Sequence, residues 1–89
     1  MKHYNITISG KVQGVFYRDS TKDKAEELGV KGWVRNEPDG TVYMEAEGDK
    51  ESLDKLIDWC KQGSPRAKVE NVHYEVGEEK GFEEFEVRR

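Results

Sequence analysis

The stretch Gly10–Arg18, with the sequence GKVQGVFYR, decides the fold because it separates two different hydrophobic patterns. Before it, Tyr4–Ser9 alternates apolar and polar residues, which is typical of a strand with one buried face. After it, from about Arg18 to Leu28, apolar residues recur at helical spacing. The stretch is therefore predicted to be a short loop between the end of a strand and the start of a helix. We call it the cradle loop (residues 10–18).

The composition of the cradle loop suits a bound anion. Gly10 and Gly14 let backbone N–H groups converge on a guest without interference from Cβ atoms. The first helical turn adds unpaired N–H groups and the positive end of the helix dipole. Arg18 adds a planar set of donors that matches phosphate or carboxylate. These features indicate a cradle for a phosphoryl group, but they also fit a plain strand-to-helix connection with an exposed arginine. The Gly-Lys-Ser/Thr ending of a Walker loop is missing.

Alternation, helical spacing and turn residues predict five further elements after the first helix. They are strands at about Val30–Asn36, Thr41–Glu47 and Val69–Val76, a helix from the N-cap Asp49 to Gly63 with Leu53, Leu56, Ile57 and Cys60 on its apolar side, and a short strand holding Phe85 and Val87. The resulting order is β-α-β-β-α-β plus one short C-terminal strand. It predicts an α+β, ferredoxin-like two-layer sandwich with a mostly antiparallel sheet and two helices on one face. The other face of the sheet is expected to be open to water.

This topology brings Asn36 close to the cradle loop. In a split β-α-β unit the first two strands run parallel through a right-handed crossover, so their carboxyl ends meet at one end of the sheet. The cradle loop follows the first strand, and Asn36 ends the second. Arg18 and Asn36 are therefore expected to be neighbours at one opening.

Length and composition limit the classes of protein to consider. The 89 residues predict one domain spanning 1–89. A net charge of −4 argues against general nucleic-acid binding, which depends on neutralising phosphates. No apolar run is long enough for a membrane span, and no secretory segment opens the chain. The single cysteine, Cys60, excludes an internal disulfide, and together these observations predict a cytoplasmic protein.

Two stretches in these positions resemble the signatures of the acylphosphatase family. The cradle loop resembles the first signature, and residues 32–42, GWVRNEPDGTV, followed by Gly48, resemble the second. The segments Trp59–Pro65 and Val69–Tyr74 also resemble the second half of the family, so the likeness covers essentially all 89 residues. The residue before the arginine is often Phe in the family and is Tyr17 here. Since an aromatic ring remains, we expect little consequence.

The resemblance implies hydrolysis of the carboxyl–phosphate bond of acyl phosphates to a carboxylate and inorganic phosphate, with no metal or other cofactor. It implies that Asn36 orients the attacking water and that Arg18 binds the phosphoryl oxygens together with the amides of the loop Gln13, Gly14, Val15, Phe16, Tyr17 and Arg18. A carboxylate leaves without protonation, so a general acid is dispensable, and positioning with charge stabilisation suffices. In this reading the substrate phosphate itself receives the proton of the water. The expected partner is a small-molecule acyl phosphate, and the chain is expected to be a monomer.

A second class of function stays open at this point. The same fold could form a ferredoxin-like module that binds an anionic ligand or a protein partner without turnover. Release of phosphate from benzoyl phosphate by the purified chain, with no added metal, separates the two hypotheses.

Four other residues with reactive side chains have simpler interpretations. His3 and His73 lack a paired ligand pattern and are interpreted as surface residues. Cys60 lies on the apolar side of the second helix and is interpreted as a core residue, not a nucleophile. Asp19 suits the dipole at the start of the first helix, and it could instead pair with Arg18 and orient it.

Trp33 and Tyr43 on the open sheet face are similar to the stacking platform of an RNA-binding sheet. Glu45 and Glu47 on the same face, with the negative net charge, argue against that function. The acidic Glu75–Glu86 region is interpreted as a solvated surface.

Overall fold

The computed structural model describes all 89 residues and has the element order that the sequence predicts. Its elements are β1 (Lys2–Lys11), α1 (Tyr17–Leu28), β2 (Lys31–Asn36), β3 (Val42–Gly48), α2 (Lys50–Gln62), β4 (Lys68–Gly77) and β5 (Phe85–Val87). β1 and β4 extend beyond the alternating segments at both ends. No helix has the length and apolar character that crossing a membrane requires.

The five strands form one sheet in the order β4-β1-β3-β2-β5. All neighbours are antiparallel except β2 and β5, which run parallel. Since β1 and β2 both pair antiparallel with β3, they run parallel to each other. Ile8 and Asn36 both pair with Val42 of β3, so the carboxyl ends of β1 and β2 flank the same residue. The ferredoxin-like α+β prediction and the predicted meeting of the two strand ends are confirmed.

Both helices pack on one face of the sheet and close a single cluster of 17 buried apolar residues. α1 contributes Tyr17, Thr21 and Ala25 to its buried side. α2 contributes Leu53, Leu56, Ile57 and Cys60, and the sheet contributes alternate residues such as Ile6, Ile8, Val34 and Met44. The prediction that Cys60 is a core residue is confirmed, because its side chain is fully buried.

The helix ends follow the local sequence. Gly29 adopts a left-handed φ of 73° and donates its N–H to carbonyls of the last turn of α1, the stop that its glycine predicts. Asp49 occupies the N-cap position of α2, as predicted, but its side chain makes no capping hydrogen bond. Its backbone carbonyl accepts the N–H of Leu53 at 2.9 Å instead.

The second face of the sheet is partly covered. Two predictions are therefore wrong, namely that this face is open to water and that His3 is a surface residue. The β4–β5 connection (residues 78–84) folds back over the end of the sheet where β1 begins and β3 ends. His3, predicted to be a surface residue, is only 1% exposed, and its ring centroid lies 5.8 Å from that of Phe82. His73, by contrast, is exposed as predicted. The covering segment is distant in sequence from β1, so strand alternation alone could not reveal it.

Glu47 of β3 anchors this connection. Its carboxylate accepts the backbone N–H groups of Lys80, Gly81 and Phe82, the last two at 3.0 Å, and lies 2.7 Å from Nδ1 of His3. Burial alone would raise the pKa of Glu47, but the hydrogen bonds from Lys80, His3 and the following amides outweigh it and lower the pKa to about 2. Lys80 also bonds Glu45 at 2.8 Å. We call His3, Glu45, Glu47 and Lys80 the Glu47 cluster.

Trp33, on the same face, is also covered. Its side chain is 6% exposed, with the guanidinium carbons of Arg35 and Arg88 lying 5.0 and 4.5 Å from the ring centroid. Tyr43 packs against the ring edge at a centroid distance of 5.5 Å. The indole is therefore enclosed by cations, and its face is not free to stack on a base.

Candidate active site

A β-bulge directs the chain out of β1 into the cradle loop. The pairing of β1 with β4 shifts register between Ser9 and Gly10. Gly10 has a φ of 119°, and a Cβ atom there would lie 2.2 Å from the carbonyl oxygen of Lys68. Only glycine fits this backbone position. The bulge therefore fixes the direction in which the loop leaves the sheet.

The loop leaves a series of backbone donors without partners in the protein. No backbone N–H from Gln13 to Phe16 donates to a backbone acceptor within the chain. α1 starts directly afterwards at Tyr17, and the first N–H groups of any helix lack intrahelical acceptors. Gly14 and Phe16 have positive φ values of 71° and 61°, and such turns gather successive N–H groups into an anion-binding concavity.

Three side-chain hydrogen bonds hold the loop in this shape. Nε2 of Gln13 donates to the carbonyls of Glu37 and Thr41, both at 2.8 Å, and so ties the loop to the β2–β3 turn. The hydroxyl of Ser64 donates to the carbonyl of Val15 at 2.8 Å. These bonds are buried or partly buried, so the loop is braced by the scaffold on two sides.

A third support lies behind the start of α1. The hydroxyl of Tyr17 donates to the carbonyl of Cys60 at 2.8 Å. Burial, with the neighbouring Cys60, raises the pKa of Tyr17 well above its usual range, so the phenol stays protonated and remains a donor. This bond links the first residue of α1 to α2.

A cavity of about 270 Å³ opens beside the loop. Its lining residues come from the loop, the start of α1, the end of β2 and the end of the chain: Val12, Gly14, Phe16, Tyr17, Arg18, Asp19, Asn36 and Arg89. The structure thus brings Arg18 and Asn36 together with Gly14, Phe16 and Tyr17, all of which the sequence singled out.

The structure also separates residues that the sequence grouped together. The side chains of Gln13 and Val15 do not line the cavity, because one braces the β2–β3 turn and the other is buried. Val12, Asp19 and Arg89 line it without having been predicted to bind the phosphoryl group. Val12 lies inside the signature stretch and could have been found there, whereas no local signal points to Arg89.

Arg18 is half-buried and is held from the far end of the chain. Its Nη1 donates to the carbonyl of Arg88 at 3.0 Å, and the N–H of Arg88 donates to the carbonyl of Val34 at 2.8 Å. This chain of contacts fixes Nη1 of the guanidinium, while Arg18 also lines the cavity. Asp19 forms no ion pair with Arg18, so the pairing hypothesis for this carboxylate is wrong. Asp19 instead lies in the first turn of α1, where its charge suits the dipole.

Asn36 carries a buried oxygen without a hydrogen-bond partner. Its Oδ1 is the one buried side-chain polar atom in the chain that bonds to nothing. Leaving a buried acceptor unpaired is costly, so such an atom at a cavity points to a partner supplied from outside the chain. An amide oxygen in this position accepts a hydrogen bond from a water or a hydroxyl group.

Other reactive groups do not form a competing centre. No three or more His, Cys, Asp and Glu side chains are grouped so that they could hold a metal ion. Burial raises the pKa of the Cys60 thiol to about 12, and the thiol therefore stays protonated near neutral pH. The cavity beside the cradle loop is the site where cationic donors and an unpaired acceptor converge.

Comparison with known proteins finds matches over almost the whole chain. The acylphosphatase family model matches residues 4–87. An acylphosphatase of Rubrobacter xylanophilus is 52% identical over 98% of this chain and 80% of the relative, and one of Methylococcus capsulatus is 49% identical over 100% and 98%. The crystal structure of acylphosphatase from Bacillus subtilis matches all of both chains with a TM-score of 0.97 at 32% identity. An acylphosphatase structure from Coxiella burnetii matches with a TM-score of 0.95 at 42% identity, over 98% of this chain and 92% of that one. The chain therefore belongs to the acylphosphatase family, whose enzymes hydrolyse the carboxyl–phosphate bond of acyl phosphates.

Proposed function

We propose that this enzyme holds the phosphoryl group of an acyl phosphate between Arg18 and the amides of the loop from Gln13 to Arg18, while Asn36 orients the attacking water. The observation that carries the proposal is that Asn36, whose buried Oδ1 has no hydrogen-bond partner, lines the same cavity as Arg18. One group is a donor array for an anion, and the other is an acceptor for the O–H of water.

The reaction needs no acid or base beyond these groups. Water attacks phosphorus, the bond from phosphorus to the acyl oxygen breaks, and the carboxylate departs with the electron pair. Its low basicity makes protonation unnecessary, and the proton of the water passes to the phosphate being formed. Charge on the equatorial oxygens is stabilised by Arg18 and the amides, which are fixed in place before the reaction begins. Asn36 positions the water but does not take its proton.

The same proposal makes the enzyme independent of metal, since the cradle supplies positive charge through Arg18 and N–H groups. Release of phosphate from benzoyl phosphate by the purified chain should continue in excess EDTA. Inorganic phosphate, a product with the shape of the transferred group, should inhibit competitively, and sulfate should act in the same way. Loss of activity in EDTA with recovery on adding a divalent ion would contradict the mechanism. Phosphate binding without any turnover would favour a binding module instead.

The proposal includes a monomer in the cytoplasm that binds no nucleic acid. The two sheet edges discourage pairing between copies, because β5 has only three residues and β4 exposes charged residues such as Glu70 and Glu75. The buried, unpaired Cys60 suits a reducing compartment, and the net charge of −4 disfavours phosphate backbones. Light scattering at micromolar concentration should give the mass of one 10.3 kDa chain.

A further inference from the structure

Phe16 lines the cavity although its backbone conformation and its exposure are both unfavourable for a phenylalanine. Its φ of 61° makes it the one non-glycine residue in the left-handed region of the backbone. Its side chain is also 70% exposed, although it lines the cavity with Arg18 and Asn36. Glycine or asparagine adopts this conformation with less strain, and neither would expose an apolar ring. The turn into α1 therefore does not explain a phenyl ring at this position, and strain of this kind concentrates at functional sites.

Packing does not explain the ring either. Phe16 is absent from the core cluster and stacks on no other aromatic ring. Each of the remaining aromatic side chains packs against another ring or lies in the core: Tyr4 with Tyr74, Tyr17 with Trp59, Trp33 with Tyr43, Phe82 with His3, and Phe85 in the core. The ring of Phe16 is thus an unpartnered aromatic surface at the mouth of the cavity.

We propose that Phe16 determines specificity by contacting the acyl group of the substrate, and that the preferred acyl groups are apolar and large enough to cover a phenyl ring. The inference rests on the proposed function, because it takes the phosphoryl group to lie between Arg18 and the loop amides. The acyl group is then the part of the substrate that extends outward past the exposed ring. Val12, buried at 1% exposure, adds a second apolar wall to the same cavity. A benzoyl or branched aliphatic group covers the ring, whereas an acetyl group is too small to do so.

The test compares two substrates on variants of Phe16 that can adopt the left-handed backbone conformation of this position. Phe16→Asn removes the ring and tolerates the left-handed conformation, and Phe16→Tyr keeps the ring. Val76→Asn is the matched control, because Val76 is a 66% exposed apolar residue of β4 that does not line the cavity. For each variant, kcat/KM is measured with benzoyl phosphate and with acetyl phosphate. Affinity for benzylphosphonate and methylphosphonate is measured by calorimetry.

Phe16→Asn should lower kcat/KM for benzoyl phosphate about threefold to tenfold and that for acetyl phosphate by a clearly smaller factor, since the variant removes the ring but keeps the backbone N–H of the loop. Benzylphosphonate should lose affinity by a similar factor, and Phe16→Tyr and Val76→Asn should behave like the parent chain. Equal losses for both substrates, or no loss for benzoyl phosphate, would overturn the inference. The phosphonate affinities do not depend on turnover. An Arg18→Gln variant with full activity would therefore overturn the proposed function. The ratio of the affinities for benzylphosphonate and methylphosphonate would still decide the role of Phe16.

Discussion

Glu47 and Asn36 both bury side-chain oxygens in the sheet, one near each end of it. The carboxylate of Glu47 accepts three backbone N–H groups from the β4–β5 connection and contacts His3. The amide oxygen of Asn36 accepts no hydrogen bond from the protein. A satisfied buried group stabilises the folded chain, whereas an unsatisfied one weakens it and is ready for a ligand. From this comparison we propose that the Glu47 end of the sheet contributes mainly to stability and the Asn36 end mainly to catalysis. Substitutions at each end should then affect one property and leave the other nearly unchanged.

The largest effect is expected at Arg18. Arg18→Gln should lower kcat/KM roughly 10³–10⁵-fold, the range found when a cationic group that stabilises a phosphoryl transition state is removed. Phosphate affinity should fall as well, because we propose that the guanidinium contacts the phosphoryl group before and during transfer. Arg18→Lys should rescue little, since a point charge does not reproduce the planar fork of donors. Phosphate release and phosphate calorimetry measure the two effects. Near-normal turnover in either variant would show that the cradle end does not depend on this residue.

Asn36→Ala should lower kcat roughly 10²–10³-fold, the usual loss when one group that acts in the transition state is removed. Phosphate affinity should change little, because we propose that Asn36 acts on the water and not on the bound phosphate. The free energy of unfolding should fall by no more than about 0.5 kcal/mol and could rise, since Oδ1 has no partner in the protein to lose and its removal relieves an unpaired buried acceptor. Urea unfolding, kcat and phosphate calorimetry on the same preparation test all three. A variant that is clearly less stable, or that loses phosphate as badly as Arg18→Gln, would break the comparison.

The reverse pattern is expected at Glu47. Glu47→Gln should lower the free energy of unfolding by about 2–3 kcal/mol, because an amide replaces a charged acceptor that faces several donors. kcat of the folded variant should change less than about twofold, since the Glu47 cluster lies far from the cradle loop. Urea unfolding near neutral pH gives the first quantity and phosphate release the second. A stable variant with impaired turnover would contradict the division between the two ends.

Low pH should also lower the free energy of unfolding through Glu47. The pKa of Glu47 is about 2 in the folded chain, below its ordinary value of 4.5. A lowered pKa means that its contribution is complete above pH 4.5 and is lost as the pH falls toward 2. Between pH 4.5 and pH 2 the free energy of unfolding of the parent chain should fall by on the order of 2 kcal/mol more than that of Glu47→Gln. Urea unfolding of both chains at several pH values tests this, and parallel pH profiles for the two chains would count against it.

The smallest effect is expected at Cys60, a core residue of α2. Cys60→Ala should lower the free energy of unfolding by about 1 kcal/mol, because it removes buried contacts of α2 with the core. Turnover should be nearly unchanged, since the raised pKa keeps the thiol protonated and the side chain does not line the cavity. The backbone carbonyl that supports Tyr17 remains. A large loss of turnover in a well-folded variant would mean that the thiol takes part in the reaction.

How much could be predicted from the sequence differs between the two ends. Alternation, turn residues and the crossover rule place Arg18 and Asn36 at one opening, because these are properties of neighbouring residues and of topology. His3 was misassigned because a lone histidine without a paired ligand pattern carries no sign of the segment that later covers it. The covering segment lies 33 to 35 residues beyond Glu47 in the chain, and its hydrogen bonds to Glu47 come from backbone N–H groups, which carry no sequence signal.

Within the cradle loop, the sequence likewise shows which residues are present but not what each side chain contacts. The positions of Gln13 and Val15 in the loop were evident, but their functions depend on partners in the β2–β3 turn and after α2. The unpaired state of Asn36 is likewise a property of the folded neighbourhood and not of the residue type. The sequence pattern therefore predicts the candidate site, and three-dimensional contacts show which residues brace the loop and which line the cavity.

The contact between Arg18 and the Arg88 carbonyl also has a consequence for the order of assembly. The two residues are 70 positions apart, and the strand that delivers Arg88 pairs with β2 through Gly32 and Phe85. Long-range contacts of this kind form late, after the entropy of closing a large loop has been overcome. During synthesis on the ribosome, Arg18 is made early but gains its hydrogen bond to the Arg88 carbonyl only after almost the whole chain has emerged. Recovery of turnover during refolding should therefore report the docking of β5 rather than the first collapse of the core.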